Sequence, residues 1–156
     1  MIYESTSGIT KRAQRGFSLV EVLIALVIMS VGMLGIASLY VQSMQAGRTS
    51  LFRHNAVTLA GDVADRIRAN PTAAVAFAGA GADNSCVGMG TNCSNVQMAA
   101  HDILLWSQQA TDSLPNGNVG ITFDNTVNPP IYTIAITWDE PVGQQNYTIA
   151  TPVPGF

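Results

Sequence analysis

The longest feature of the sequence is an apolar run near its start. From Phe17 to Val41 most residues are hydrophobic or small, and no charged residue occurs between Val22 and Gly47. A helix rises about 1.5 Å per residue, so roughly 20 residues cross the hydrocarbon core of a bilayer. The run therefore predicts a membrane-spanning helix. It also contains one acid, Glu21, and an ionisable residue inside such a helix indicates a functional role.

The pattern becomes amphipathic after the apolar run. Five apolar residues recur there at helical spacings of three or four: Phe52, Ala56, Leu59, Val63 and Ile67. On the opposite, polar face, Asp62 and Arg66 are spaced for an i,i+4 ion pair. Asn70-Pro71 predicts the end of the helix. We therefore expect one long helix that starts at Phe17 and continues to about residue 70.

The second half of the chain changes to shorter elements. Residues 72–95 are rich in Ala, Gly and Asn and predict a loop, and residues 96–112 predict a second helix. The apolar face of that helix is predicted from Val96, Ala99, Ala100, Ile103, Ser107 and Ala110. Alternating apolar residues within 119–151 predict three strands separated by Pro-containing turns. An antiparallel meander packed on the amphipathic part of the long helix gives an α+β fold.

Charge is distributed unevenly between the two ends of the chain. Hydrophobic residues make up 47% and charged residues 11% of the sequence, against the usual quarter for charged residues. Residues 1–16 hold Lys11, Arg12 and Arg15 against one acid, whereas the remainder holds four arginines against nine acids. The basic flank predicts a cytoplasmic N-terminus and an exported body after about residue 42. The acidic body argues against nucleic-acid binding.

Two ordinary explanations of the apolar run are incomplete. A cleaved signal peptide has a shorter apolar segment, closed by a small-residue cleavage site that is absent here. An uncleaved signal anchor accounts for the length and the basic flank, but it leaves Glu21 without a partner. A charge in that environment costs about 2.5–3.5 kcal/mol near the centre of a span.

Residues 15–21, Arg-Gly-Phe-Ser-Leu-Val-Glu, resemble the processing site of type IV prepilins and related pseudopilins. The resemblance implies that a prepilin peptidase cuts after Gly16 and N-methylates the new first residue, Phe17. Residues 1–16 are then a leader peptide, 17–41 a transmembrane and assembly helix, and 42–156 an exported pilin domain. Glu21 becomes the acid at the fifth mature position, which in that family attracts the amine of a neighbouring subunit during assembly.

Cleavage would also supply a positive partner for Glu21. The free amino group of Phe17 would have a reference pKa of about 7.7–8.0. In a straight helix it would lie one turn from Glu21, and pairing the two charges offsets the desolvation that each suffers alone. The sequence therefore predicts an assembly ion pair between Phe17 and Glu21.

Cys86 and Cys93 lie in the predicted loop, with six residues between them. Two cysteines in an exported segment favour a disulfide. A metal site would need more ligands, and His101 is the nearest candidate. We expect no metal, no cofactor and no enzyme, because no phosphate-binding loop, HExxH sequence or nucleophile motif is present. His54, His101 and Asp102 are interpreted as solvated polar residues, and Trp106 and Trp138 as packing residues.

Further motifs resemble those of PilV-type minor pilins. They are Asp65-Arg66-Ile67-Arg68-Ala69-Asn70-Pro71, Asp102 with Trp106, Leu114-Pro115-Asn116-Gly117 and Ile136-Thr137-Trp138-Asp139-Glu140. The resemblance implies a low-abundance pilin that joins other minor pilins to prime pilus assembly, with a position at the fibre tip. Expected partners are the prepilin peptidase, other pilus subunits, the assembly machinery and the inner membrane. The alternatives are a pseudopilin of a type II secretion system and a DNA-uptake pilin.

Overall fold

The structure is a computed structural model that describes residues 16–88 and 92–153. These residues form two compact units, one ending at Met44 and the other beginning at Gln45. Lys11, Arg12 and Arg15, the basic residues of the predicted leader, lie outside the described residues. The fold is α+β, as the sequence predicts, with a long N-terminal helix and a small antiparallel sheet.

The first helix, α1, comprises Leu19–Ala69, 51 residues. The predicted start at Phe17 is wrong by two residues, because Ser18 caps the helix. Its hydroxyl accepts a hydrogen bond from the Val20 N–H at 3.3 Å, and its carbonyl accepts one from the Val22 N–H at 3.2 Å. The predicted end is confirmed, since Ala69 is followed by Asn70-Pro71.

The first part of α1 has the character of a membrane anchor. Among the described residues, α1 is the helix that is long and apolar enough to cross a bilayer, with a mean hydropathy of 2.6 in its most apolar window. None of that window is buried inside the protein. Large side chains such as Leu34 and Ile36 are 72% and 70% exposed. In water this surface would be a large unpaired apolar patch, whereas in lipid it is solvated.

The segment after α1 is not a loop throughout, so the prediction for residues 72–95 is wrong in its first part. A 3₁₀ helix comprises Pro71–Ala78, with Pro71 at its first position, where the missing N–H is tolerated. Ala73 and Phe77 of this helix are buried. The rest of the segment, as far as it is described, is irregular.

The second helix, α2, comprises Asn95–Ser113, one residue longer at each end than predicted. It starts with a capping box. The Gln97 N–H donates to Ser94 Oγ at 3.3 Å, and the Ser94 N–H donates to Gln97 Oε1 at 2.9 Å. Its buried face includes Ala99, Ile103, Trp106 and Ala110, whereas Val96, predicted on that face, is exposed.

Three strands follow: β1 at Asn118–Asp124, β2 at Ile131–Glu140 and β3 at Gly143–Pro152. They form one antiparallel sheet in the order β1-β2-β3, which confirms the predicted meander. The central strand, β2, alternates strictly. Its inward side chains, Tyr132, Ile134, Ile136 and Trp138, are fully buried.

The core lies between the amphipathic part of α1, α2, the 3₁₀ helix and the inner face of the sheet. The α1 residues in it are Ala56, Leu59, Ala60, Val63, Ala64 and Ile67. Four of the five apolar positions predicted for this face are fully buried, and Phe52 packs partly against them. Trp106 and Trp138 are also buried in this core, as predicted.

The turn after α2 provides a test of this packing. A Cβ at Gly117 would overlap the Ala110 carbonyl oxygen and lie 2.8 Å from Leu114 Cβ. We expect Gly117→Ala to lower the free energy of unfolding by about 1–3 kcal/mol, because backbone must shift to admit the methyl group. Urea unfolding of the full chain in detergent, followed by the fluorescence of the buried tryptophans, measures this.

Gly61→Ala is the matched control. A Cβ at Gly61 meets no atom within 4 Å outside its own helix. Alanine there should raise the free energy of unfolding by about 0.5–1 kcal/mol through helix propensity. Equal changes in the two variants would contradict the packing described at the turn.

Candidate processing and assembly site

The predicted cleavage site lies just before α1. Gly16 and Phe17 precede the first helical residue, Leu19, and Phe17 is 84% exposed. Among the described residues, no atom lies within 4 Å of a Cβ built at Gly16. Exposed, non-helical chain is the form that a peptidase can bind. Cleavage of the Gly16–Phe17 bond stays a prediction.

Glu21 lies in the first turn of α1, where a negative charge interacts favourably with the helix dipole. Glu21 and Phe17 line the same shallow concavity, together with Val22, Ala25, Leu26 and Met29. Phe17 and Glu21 therefore lie on the same side of the start of α1, and the ion pair between them stays a prediction. Within the described part of the chain, the Glu21 carboxylate has no hydrogen-bond or ion-pair partner.

The two cysteines are bonded in the structure. The Sγ atoms of Cys86 and Cys93 are 2.03 Å apart, and their Cα atoms are 5.8 Å apart. Both sulfur atoms also lie 3.7 Å from the Asn84 carbonyl oxygen. The Asn84 side chain donates to the Gln97 carbonyl at 3.0 Å, so the bridged loop is attached to the start of α2.

A polar network joins α1 to α2, and it replaces the predicted Asp62–Arg66 pair. Arg66 Nη1 donates to Asp102 Oδ1 at 3.1 Å, and the Trp106 indole N–H donates to Asp62 Oδ2 at 3.1 Å. Asp102 and Trp106 lie one turn apart on α2, and both are buried there. Because buried polar groups require partners, each α1 residue bonds to α2 instead of to its helical neighbour.

His101 and Asp102 are buried, with 6% and 3% exposure, so their predicted solvation is wrong. The irregular segment after the 3₁₀ helix covers His101, whereas Asp102 faces Arg66 of α1. The Ala82 N–H donates to the Ala100 carbonyl at 2.9 Å, and Asp83 Oδ1 lies 3.5 Å from His101 Nδ1. A Cβ at Gly81 would lie 2.8 Å from the Leu104 nitrogen, so glycine permits this approach. The Ala-Gly-Ala-Gly sequence at 78–81 was the signal for this contact.

Comparison with known families matches two adjoining parts of the chain. Residues 11–37 match the prokaryotic N-terminal methylation motif, which spans the Gly16–Phe17 bond and Glu21. Residues 38–104 match the family of type IV pilin Tt1218. The chain is a type IV pilin-like protein. No curated protein and no solved structure matches it.

The family assignment explains the features of α1. A pilin with this motif is processed by a prepilin peptidase and assembles with other pilus components. The apolar part of α1 anchors such a pilin in the membrane. Pilins of this family are structural subunits and not enzymes. Among the described residues of this pilin, no group of three or more His, Cys, Asp or Glu side chains could hold a metal ion.

The pKa of Asp102 is raised above its ordinary value. Burial is the main cause, because it disfavours the charged carboxylate, and the nearby Asp62 adds to it. Arg66 and His101 oppose the shift, since each favours the charged form. The net direction means that the folded pilin binds this proton more tightly than the unfolded chain does.

The pH dependence of stability tests this assignment. A raised pKa makes the contribution of Asp102 to the free energy of unfolding largest below pH 3.8, and the contribution falls as the pH rises through the raised value. Asp102→Asn removes the ionisation while keeping an acceptor for Arg66. We therefore expect the variant to gain stability relative to the wild type as the pH rises across this window, measured by urea unfolding.

Asp112→Asn removes an exposed acid from the same helix and is the control for the change in net charge. A stability difference between Asp102→Asn and the wild type that stays constant from about pH 3 to pH 6 would contradict the raised pKa.

Proposed function

We propose that this protein is a minor pilin of a type IV pilus. In this role it joins other minor pilins in a complex that primes assembly, and it lies at the fibre tip. The supporting observation is that the separate motifs that resemble those of PilV-type minor pilins lie against one another in the fold. Arg66 of the first motif bonds to Asp102 of the second at 3.1 Å. The Asp139 N–H of the last motif donates to the Pro115 carbonyl of the third at 2.8 Å.

Further hydrogen bonds join these motifs to one another. Asn116 Nδ2 donates to Asp139 Oδ2 at 2.9 Å, so the turn after α2 is fixed to the end of β2 by two hydrogen bonds. Motifs that are distant in sequence but bonded in space favour a resemblance over the whole domain rather than chance matches.

A pseudopilin of a type II secretion system is the alternative, because it would share the methylation motif and the long helix. Neighbouring genes for a pilus motor or for a secretion machine would distinguish the two.

The proposed topology follows from the charge around the apolar run. Residues 1–16 form the leader and stay in the cytoplasm, residues 17–41 span the inner membrane, and residues 42–156 form the periplasmic domain before assembly into the pilus. The basic flank supports this orientation. A disulfide between Cys86 and Cys93 suits an oxidising compartment outside the cytoplasm.

Mass spectrometry of the mature chain tests the processing. In membranes from cells with an active prepilin peptidase, we expect a chain that begins with N-methylated Phe17. Gly16→Val should keep residues 1–16, because a branched side chain next to the cleaved bond hinders the peptidase. Gly47→Ala lies outside the motif at a position with no atom within 4 Å of a Cβ, and it should be processed normally. A wild-type chain that retains Met1 would overturn the proposal.

Pull-down from membranes with quantitative mass spectrometry tests the role in assembly. The Phe17 amine and Glu21 form an ion pair that also attracts the neighbouring subunit, so Glu21→Gln should insert normally but capture fewer partner pilins. We expect a loss on the order of tenfold, equivalent to about 1.4 kcal/mol. Asp112→Asn, which removes an acid outside the membrane segment, should capture as much as the wild type.

The same pull-down tests whether the protein is a minor or the main subunit of the pilus. A minor pilin should be recovered with other low-abundance pilins in comparable amounts, and at a level far below that of the main fibre subunit. Equal capture of partner pilins by Glu21→Gln and the wild type would contradict the ion-pair hypothesis. Recovery of this protein as the main subunit of the fibre would contradict the proposal that it is a minor pilin.

A further inference from the structure

His101 is a buried side chain that has no place in the predicted processing and assembly site. It is 6% exposed and lies on α2 beneath the irregular segment that follows the 3₁₀ helix. Within the described part of the chain, its Nδ1 atom is buried and has no hydrogen-bond partner. An acceptor lies close by, because Asp83 Oδ1 is 3.5 Å away, just beyond the usual length of an N–H···O bond. Buried polar atoms are nearly always paired, so this gap requires an explanation.

The segment that covers His101, residues 79–85, is held on α2 by few contacts. The Ala82 N–H donates to the Ala100 carbonyl at 2.9 Å, and Asn84 Nδ2 donates to the Gln97 carbonyl at 3.0 Å. None of the seven residues of this covering segment is itself buried. A segment with few buried apolar contacts opens at a low cost in free energy. One additional polar contact can therefore change how firmly the covering segment is attached.

The carboxylate of Asp83 is already oriented for such a contact. The Ser85 N–H donates to Asp83 Oδ1 at 2.9 Å, and the same oxygen faces His101 Nδ1. The Asp83 side chain is 70% exposed, so water stabilises its negative charge. The acceptor is thus fixed in place by the backbone of its own segment, and only the donor on His101 is missing.

The charged groups around His101 are mostly negative. Asp83 faces it from the covering segment, and Asp102 lies next to it on α2. Beyond Asp102, α1 contributes Arg66, which bonds to Asp102 at 3.1 Å, and Asp62. The 3₁₀ helix has no charged residue, and Asp124 of β1 is exposed. One arginine against three nearby acids leaves a negative surrounding, which favours a protonated histidine.

Protonation would supply the missing donor. A neutral imidazole carries one N–H, on either of its two nitrogens, whereas the imidazolium carries an N–H on both. Nδ1 of a protonated His101 must therefore donate, and a hydrogen bond between two charged groups is stronger than one with a neutral donor. Histidine is the side chain whose charge ordinarily changes between pH 5 and 8.

We propose that His101 and Asp83 form a pH-dependent latch that holds the covering segment on α2. With a proton bound, His101 Nδ1 donates to Asp83 Oδ1 and the segment stays attached. Because the proton favours the attached form, attachment is firm at low pH and weakens as the pH rises through the range in which His101 loses the proton. Cys86 follows the covering segment directly, so the disulfide-bridged loop is tethered more firmly in acid. All of these residues lie in the unit that begins at Gln45, so the latch needs neither the membrane anchor nor other pilins.

Hydrogen exchange of the full chain in detergent tests the latch. The reporter is the Ala82 amide, which bonds to α2, and its exchange rate is corrected for the intrinsic effect of pH. We expect its protection to be greater at pH 5 than at pH 8 on the order of tenfold, because a charged donor bonds more strongly than a neutral one. Asp83→Asn removes the charge at an exposed position and should make protection nearly equal at the two pH values. Asp112→Asn, which removes another exposed acid, should behave as the wild type does.

Two further variants separate His101 from its neighbour Asp102. His101→Gln cannot take up a proton and should lose the pH dependence at Ala82, whereas Asp102→Asn should keep most of it, because His101 still faces Asp83. Loss of the pH dependence in Asp102→Asn, or its survival in Asp83→Asn, would overturn the proposal. So would equal protection of Ala82 at both pH values in the wild type. The amides in the middle of α2 are the internal reference, and a parallel change in them would indicate global unfolding instead of a latch.

Discussion

The burial of one face of α1 is the contact on which the rest of the unit that begins at Gln45 depends. Up to Val41 the helix is apolar all round, which is stable only in lipid. From Phe52 onward it has one apolar face, and a helix in water must cover such a face. The 3₁₀ helix, α2 and the sheet all pack on it, with Leu59, Val63 and Ile67 at the centre. Alanines at 56, 60 and 64 leave room for the packed elements to approach closely.

Polar contacts then fix how these elements lie against each other. Apolar packing is non-directional, so it does not by itself determine one position of α2 along α1. The Arg66–Asp102 and Asp62–Trp106 bonds do, because each leaves a buried group unsatisfied if α2 shifts by a turn. An unsatisfied group of this kind costs about 1–3 kcal/mol. The two bonds therefore contribute more to specificity than to net stability.

Much of the fold was predictable because its signals are local. The spacing of Leu59, Val63 and Ile67 predicts a helix face, and the alternation of Tyr132, Ile134 and Ile136 predicts a strand. The errors arose where the outcome depends on contacts distant in sequence. The burial of His101 depends on a covering segment some 20 residues earlier, whose glycines permit the approach.

The functional features also include some that are local in the sequence and some that depend on distant contacts. Gly16, Phe17 and Glu21 lie within six consecutive residues, so a local motif was enough to predict a processing site there. The edge position of β3 depends instead on the order of the strands. The absence of charged residues from β3 can be read from the sequence. It can be interpreted only once the strand order shows that β3 is an edge strand.

The charge distribution bears on assembly. After residue 41 the chain holds four arginines against eight acids, so this part of neighbouring copies repels at short range. That repulsion is screened over about 8 Å at physiological ionic strength, and it acts on contacts between charged surfaces. Glu21 belongs to the first unit and is not among these acids. Under the proposed function, attraction between neighbours comes from the ion pair between the Phe17 amine and Glu21, which requires a closely aligned neighbour.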